Sequence, residues 1–279
     1  MNSISKLSCP ICNTDSSFIF SSKHNRNIYE CANEDCGHFF TPLSTKSQGI
    51  CIRNEDIERE SDETFHLYHE RNKRLLSLLL GLLKKKEYPI TLMDFGAGNG
   101  HISRTFKLEL GNKAKIYCLD PNPICSGLYK KYGLLYLSTI NDLPEKIDLI
   151  YMIEVIEHLE DPIVTLKLLS QHLDENSLIF LSTPIGRKLE STTNAYDTPS
   201  HLNFFTEKSL NLALKKAGLS EIHYKFYPEI YPLPLPLPLQ AMFGRPIILI
   251  KKLIKKFFLL VRKESRQINH LVGATKLKR

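Results

Sequence analysis

The run Leu92-Met93-Asp94-Phe95-Gly96-Ala97-Gly98-Asn99-Gly100 constrains the fold more than any other stretch of the chain. An apolar strand ends in an acid and enters a turn with glycine at every second position. Such a turn lets the backbone reverse tightly and approach a ligand with no Cβ in the way. A second apolar stretch, Ile116-Tyr117-Cys118-Leu119-Asp120, also ends in an acid, 22 residues after Gly98. At the end of a second strand, Asp120 can accept both hydroxyls of a ribose, so the pair fits a nucleoside cofactor. The glycines do not follow the dinucleotide pattern G-x-G-x-x-G, whose third glycine would fall at the position of His101.

From Tyr88 onward, short apolar runs alternate with helical patterns, which predicts a parallel sheet with crossover helices. The expected strands are Ile90 to Phe95, Lys115 to Asp120, Leu134 to Ser138, Ile147 to Met152, Ser177 to Thr183 and Leu219 to Phe226. Helices are expected near 100–110, 123–132, 161–173 and 206–217. Residues 62–86 place Phe65, Tyr68, Leu75, Leu76, Leu79, Leu82 and Leu83 at three- and four-residue spacing, which predicts one amphipathic linker helix. The run Tyr231 to Leu239, YPLPLPLPL, cannot be central sheet because each proline removes a ladder donor. It predicts polyproline II on a surface, followed by a basic helix and a last strand, His270 to Lys278.

The segment Asp148-Leu149-Ile150-Tyr151-Met152-Ile153-Glu154-Val155-Ile156-Glu157-His158-Leu159-Glu160-Asp161-Pro162 closes a further strand. Pro199-Ser200-His201-Leu202-Asn203-Phe204-Phe205-Thr206 precedes the helix ending Lys216-Ala217-Gly218-Leu219. With Asp94 to Gly100, these stretches resemble three ordered signatures of class I S-adenosylmethionine-dependent methyltransferases, in the subgroup of ubiquinone O-methyltransferases and sugar and glycan methyltransferases. The resemblance covers about residues 88–226. It implies an α/β, Rossmann-like, seven-stranded and mostly parallel sheet with flanking helices and the cofactor across the ends of its first strands. Gly96, Gly98 and Gly100 would hug the methionyl part, Asp120 the ribose, and Pro121 or Asn122 the adenine, with Asp94, Ala97 and Glu154 also among the implied cofactor-binding residues. Asp142 could reach the adenine amine, or simply close an Asx turn before Pro144.

A sulfonium already carries an activated methyl, so the protein has to align a nucleophile and accept one proton. Histidine is the first choice of base near neutral pH. His158 follows the fourth strand and His201 lies in the loop after the fifth, and the resemblance implies a histidine at each place near the substrate. Either could instead be structural, His158 as a helix cap and His201 as a packed loop residue. Ser200 stands where related sugar C-methyltransferases have an acid, which favours O-methylation over C-methylation.

The first 50 residues have no apolar run able to build a core, and so need a staple. Cys9, Cys12, Cys31 and Cys36 give C-x2-C-x18-C-x4-C, within the spacing of structural tetrahedral zinc sites. Asn13 and Gly37, each directly after a pair, suit the positive φ that a knuckle requires. Four thiolates leave no open coordination position, so the expected Zn2+ is structural, with His38 as an alternative to Cys36. The remaining cysteines, Cys51, Cys118 and Cys125, read as small buried or incidental residues. The expected organisation is a zinc ribbon over 1–50, a linker helix over 51–87, and a methyltransferase domain over 88–279 carrying an insertion at 228–267.

The start of the chain lacks the pattern of a secretory signal, which together with seven cysteines points to a reducing cytosol. Net charge is +7, but residues 241–279 hold eleven Lys or Arg against Glu264 alone, so the rest of the chain is slightly acidic. Within 247–266, Ile250, Leu253, Ile254, Phe257, Phe258 and Val261 fall on one helical face and lysines on the other, a pattern suited to packing on protein or to lying on an anionic membrane. The leading expectation is methyl transfer to a small-molecule or glycan acceptor, lipid-linked if the basic segment meets a membrane. An RNA methyltransferase is a second reading, set against a ribbon that is not cationic. A non-catalytic cofactor-binding module is a third.

Overall fold

The computed structural model describes residues 7–22, 25–42, 54–83, 87–143, 146–186, 198, 200–220 and 270–278. The polyproline run, the basic amphipathic stretch 247–266 and most of the expected strand at 219–226 lie outside them.

Two sheets organise the described residues. The larger has the order β11-β9-β8-β5-β6-β7, built from β5 (Ile90–Phe95), β6 (Ala114–Leu119), β7 (Leu135–Leu137), β8 (Leu149–Ile153), β9 (Leu178–Pro184) and β11 (His270–Thr275). All its neighbours are parallel except β11, which runs antiparallel to β9. The described residues thus contain six strands of the seven expected. Leu219, at the head of the expected sixth strand, makes a single bridge to Leu277.

Strands β5, β8 and β9 are buried on both faces, which is why they read in the sequence as unbroken apolar runs. Alternate residues enter different cores. Met93, Ile150, Met152, Ile179 and Leu181 pack with Leu166, Leu169, Leu210 and Leu214. Leu92, Leu149, Tyr151, Leu178 and Phe180 pack with Leu75, Leu79 and Phe106. The first group brings in α4 (Pro162–Ser170) and α5 (Glu207–Lys216), the second α1 (Asn54–Leu83) and α2 (His101–Leu110). Helix α1 begins before the 62–86 apolar pattern but inside the 51–87 expected of the linker helix. Its buried Leu75, Leu76, Leu79 and Leu83 form the stripe that the heptad-like spacing implies.

The smaller sheet has the order β1-β2-β3-β4-β10, from β1 (Leu7–Ser8), β2 (Asp15–Ser21), β3 (Asn27–Cys31), β4 (Phe39–Phe40) and β10 (Asn203–Phe204). Its last strand comes from the loop between β9 and α5. The cysteine-rich segment therefore shares a sheet with the larger α/β unit, with Asn203 opposite Phe40 and Phe204 opposite Phe39.

Candidate active site

Strand order reverses direction beside β5, because the chain proceeds to β6 on one side and returns to β8 on the other. In open α/β sheets that switch point is where ligands bind, outside the carboxyl ends of the strands. The glycine turn after β5, Asp120 after β6 and Glu154 after β8 converge there. Gly96, Gly98 and Gly100 all have positive φ, of 77°, 53° and 75°. Gly96 is the most confined, since a Cβ there would lie 2.5 Å from Val155 Cγ2. Gly98 is held from two directions, its N–H donating to Asp120 Oδ2 at 2.8 Å and its carbonyl accepting from Tyr129 Oη at 2.7 Å.

Asp120 also accepts the Asn122 N–H on Oδ1 at 2.9 Å. Each of its oxygens has a second lone pair able to accept a further donor. Asn122 is buried and turns its side chain to the Ile124 N–H, whereas Pro121 is exposed. Glu154 adopts φ 58° and accepts from Ser182 Oγ at 2.7 Å. Asp94 lies lower. Its buried carboxylate accepts from Ser103 of α2 at 2.7 Å, which ties the end of β5 to that helix, and burial pushes its pKa up to about 7. Asp142 is exposed and closes its own turn, accepting from Ser138 Oγ, Thr139 N and Thr139 Oγ1. That is the capping-box role at the start of the short Ile140–Asp142 helix, which differs from the Asx turn before Pro144 that its sequence context suggested.

His158 and His201 meet across the site with ring centroids 4.7 Å apart, edge to face. Glu157 lies between them, with Oε1 4.0 Å from His158 Nε2 and 3.9 Å from His201 Nε2. This side chain is wholly buried. Its Oε2 accepts from Thr183 Oγ1 at 2.9 Å, but Oε1 has no hydrogen-bond partner among the described residues. Burial, reinforced by the charge of Glu154, pushes Glu157 up to about 8. His158 is shifted the other way, its burial outweighing the Ser200 carbonyl and Glu154 that favour its cation. Its Nδ1 lies 3.0 Å from the Ser200 carbonyl, which fixes the proton there and leaves the lone pair on Nε2, the nitrogen nearer Glu157. The cap of α4 is Asp161, which accepts the Val164 N–H, so His158 does not serve that helix. The three ligand-type atoms of Glu157, His158 and His201 lie within 4.8 Å of one another, a spacing that a divalent cation could also span.

Of the site residues expected from sequence, the histidines come together, whereas Glu157, Tyr129 and Arg26 were not singled out. The signal for Glu157 was present, an acid flanked by Ile156 and buried with it. Nothing in the sequence around Arg26 marks it as part of the site.

The four ribbon cysteines cluster with all sulfurs within 4.8 Å. Cys9 and Cys36 Sγ are 3.9 Å apart, and Cys12 and Cys31 Sγ 3.3 Å. Tetrahedral zinc with Zn–S bonds of about 2.3 Å would set its sulfurs roughly 3.8 Å apart, so the cluster fits. Asn13 and Gly37 adopt φ 64° and 55°, the knuckle geometry expected of them. The Ile11 and Asn33 N–H groups point at Cys9 and Cys31 sulfur, each at 3.4 Å. Hydrogen bonding from Cys36 pulls the Cys9 thiol down to about 5, and the same bond, with burial, pushes Cys36 up. His38 is not a ligand. It is fully buried with Nε2 3.1 Å from Asn203 Oδ1 and Nδ1 3.2 Å from Ser209 Oγ, which corrects its reading as a substitute for Cys36.

A profile of a methyltransferase domain matches residues 67–224. The chain is similar to the tRNA U34 carboxymethyltransferase of Campylobacter jejuni subsp. doylei, 34% identical over 100 residues that cover 32% of this chain and 34% of that one. The Campylobacter lari protein of the same description is 32% identical over the same length. The similarity thus spans about a third of these relatives. Among solved structures, the plantazolicin methyltransferase BamL, crystallised with a substrate analogue and SAH, superposes with TM-score 0.53 at 16% identity, over 81% of this chain and 91% of that one. A chain from the complex of the Haloferax volcanii Trm112 methyltransferase activator with a methyltransferase gives TM-score 0.50 at 16% identity, over 82% and 100%. At that identity the structures speak for the fold. With the profile covering more than half its length, the chain belongs to the methyltransferase domain family and is a methyltransferase.

Proposed function

We propose that this methyltransferase uses S-adenosylmethionine to methylate a hydroxyl of a small-molecule or glycan acceptor, with His158 or His201 receiving the proton. The observation that carries this reading is the buried Glu157 facing both imidazoles. S-adenosylmethionine supplies the activated methyl. The glycine turn offers it a backbone cradle, and Asp120 a carboxylate already aimed by Gly98 and Asn122. A hydroxyl held beside the histidines would lose its proton to an imidazole Nε2 as the new O–C bond forms and the sulfonium's S–CH3 bond breaks, leaving a neutral thioether. Glu157, pushed up to about 8, keeps a proton of its own at neutral pH and leaves the neighbouring His158 in its neutral, accepting form. Zn2+ in the four-cysteine cluster would be structural, its coordination closed by protein ligands.

The sequence pattern of residues 247–266 makes a lipid-linked acceptor at an anionic membrane part of this proposal. Among the described residues no helix is long and apolar enough to cross a membrane. The similarity to tRNA carboxymethyltransferases favours a second reading, an RNA acceptor held by the ribbon and the basic segment. Incubation with radiolabelled S-adenosylmethionine and separated pools of lipid-linked glycan, free small molecules and RNA tests both. Label in the glycan or small-molecule pool supports the first reading. Label confined to RNA replaces it with the second.

A further inference from the structure

The loop that carries His201 is bound on both sides. Towards the catalytic domain, the Ser200 carbonyl lies against His158 Nδ1, the Leu202 N–H donates to the Glu157 carbonyl at 2.8 Å, and Asn203 Nδ2 donates to the Leu159 carbonyl at 2.7 Å. Towards the ribbon, Leu202 O accepts the Thr41 N–H at 3.0 Å, and β10 pairs with β4. Two further carbonyls, those of Thr198 and His201, are taken by one side chain. Arg26 donates Nη1 to Thr198 and Nη2 to His201.

Arg26 stands at the β2–β3 turn, where Asn25 has φ 55° and the Ser22 N–H donates to the Arg26 carbonyl at 2.8 Å. The guanidinium is a rigid planar fork, able to hold two acceptors at once in a fixed relation, which an ammonium cannot do. Its two acceptors are the ends of a single turn, closed by the His201 N–H on Thr198 O at 3.1 Å. With its carbonyl held by Arg26 and its amide by Thr198, the His201 main chain has little freedom. The ring that springs from it is therefore aimed at Glu157.

We infer that Arg26 is a positioning residue for the reaction, reaching from the ribbon to fix the turn that points His201 at Glu157 beside His158. The ribbon is then a component of the active site's scaffold. This rests on reading His158, Glu157 and His201 as the proton-accepting cluster. A simpler role, gluing the ribbon to the domain, is shared by Lys208, whose Nζ donates to the Glu34 carbonyl at 2.9 Å, a contact that does not involve the 198–201 turn. The two residues therefore separate gluing from positioning.

The test is histidine-selective NMR on the full zinc-loaded chain, following the ring nitrogens of His158 and His201 against pH. Arg26→Ala, Arg26→Lys and Lys208→Ala are compared with wild type, and calorimetric binding of S-adenosylmethionine checks the fold of each. Arg26→Ala is expected to displace the His201 titration curve by about half a pH unit or more, through altered distances to Glu157 and His158. Arg26→Lys restores it in part, Lys208→Ala leaves it unchanged, and all three bind the cofactor as wild type does. Should Arg26→Ala prove unfolded, Arg26→Lys carries the comparison. A His201 curve unmoved in the folded Arg26 variants, or moved equally by Lys208→Ala, overturns the inference. The underlying cluster is checked separately: if Glu157→Gln leaves both histidine curves of an otherwise wild-type chain in place, it is the cluster reading that fails.

Discussion

His201 Nε2 lies 3.9 Å from Glu157 Oε1, a fully buried carboxylate oxygen with no hydrogen-bond partner among the described residues. A buried acid in that position is expensive to ionise, and the fold moves it from an ordinary 4.5 to about 8. Between those values the unfolded chain has released the proton while the folded chain retains it. Wild-type stability attributable to this group therefore falls as pH rises through the window. Glu157→Gln removes the slope. Thermal melts of the two proteins should show the variant gaining on wild type as pH rises from 4.5 to about 8, whereas a difference that does not change with pH would refute the assignment.

Gly96→Ala places a Cβ 2.5 Å from Val155 Cγ2 on a backbone of φ 77°. Both the contact and the conformation are unfavourable, and together they should destabilise the domain by about 1 to 3 kcal/mol. Because the strain falls on the turn proposed to cradle the cofactor, affinity for S-adenosylmethionine should also drop. Denaturant unfolding together with calorimetry checks both. A variant of wild-type stability and affinity would mean that the turn moves freely.

Asp120→Ala leaves the Gly98 and Asn122 N–H groups without their acceptor and removes the proposed ribose contact. Cofactor binding should weaken by about 1 to 3 kcal/mol while the fold persists. Calorimetry reads this directly, and unchanged affinity in a folded variant would exclude Asp120 from the cofactor site.

Elemental analysis of the purified protein should find a single zinc ion per chain, lost on Cys9→Ser or Cys36→Ser. Because β4 pairs with β10, losing the ribbon should also loosen residues 200–204, as hydrogen exchange would report. The sheet core of Leu92, Ile150 and Phe180 should stay protected, since the ribbon contributes no strand to that sheet. A protein free of zinc, or a ribbon still ordered after its cysteines are changed, would argue for unmetallated thiols.

Much of this arrangement was legible because its causes are local. Two-sided burial writes β5, β8 and β9 into the sequence as apolar runs, and the knuckle φ at Asn13 and Gly37 follows from their place after each cysteine pair. The ribbon's fifth strand was not legible. A two-residue strand such as Asn203–Phe204 has too few residues to show a period, and its partner Phe39–Phe40 is distant in the chain. Arg26 was hidden for a related reason, since a charge in a hairpin turn is usually solvated, and only the tertiary fold brings Thr198 and His201 within its reach. His38 misled in the opposite way, lying two residues from Cys36 yet turned toward Asn203 and Ser209.

The most direct test of the catalytic cluster is methyl transfer from radiolabelled S-adenosylmethionine to the labelled acceptor pool by wild type, His158→Ala, His201→Ala and the double variant. Cofactor affinity measured in parallel serves as the control for folding. General-base catalysis predicts turnover lowered about 100-fold or more in the double variant, with affinity for S-adenosylmethionine nearly unchanged. Wild-type turnover in a folded double variant would contradict it.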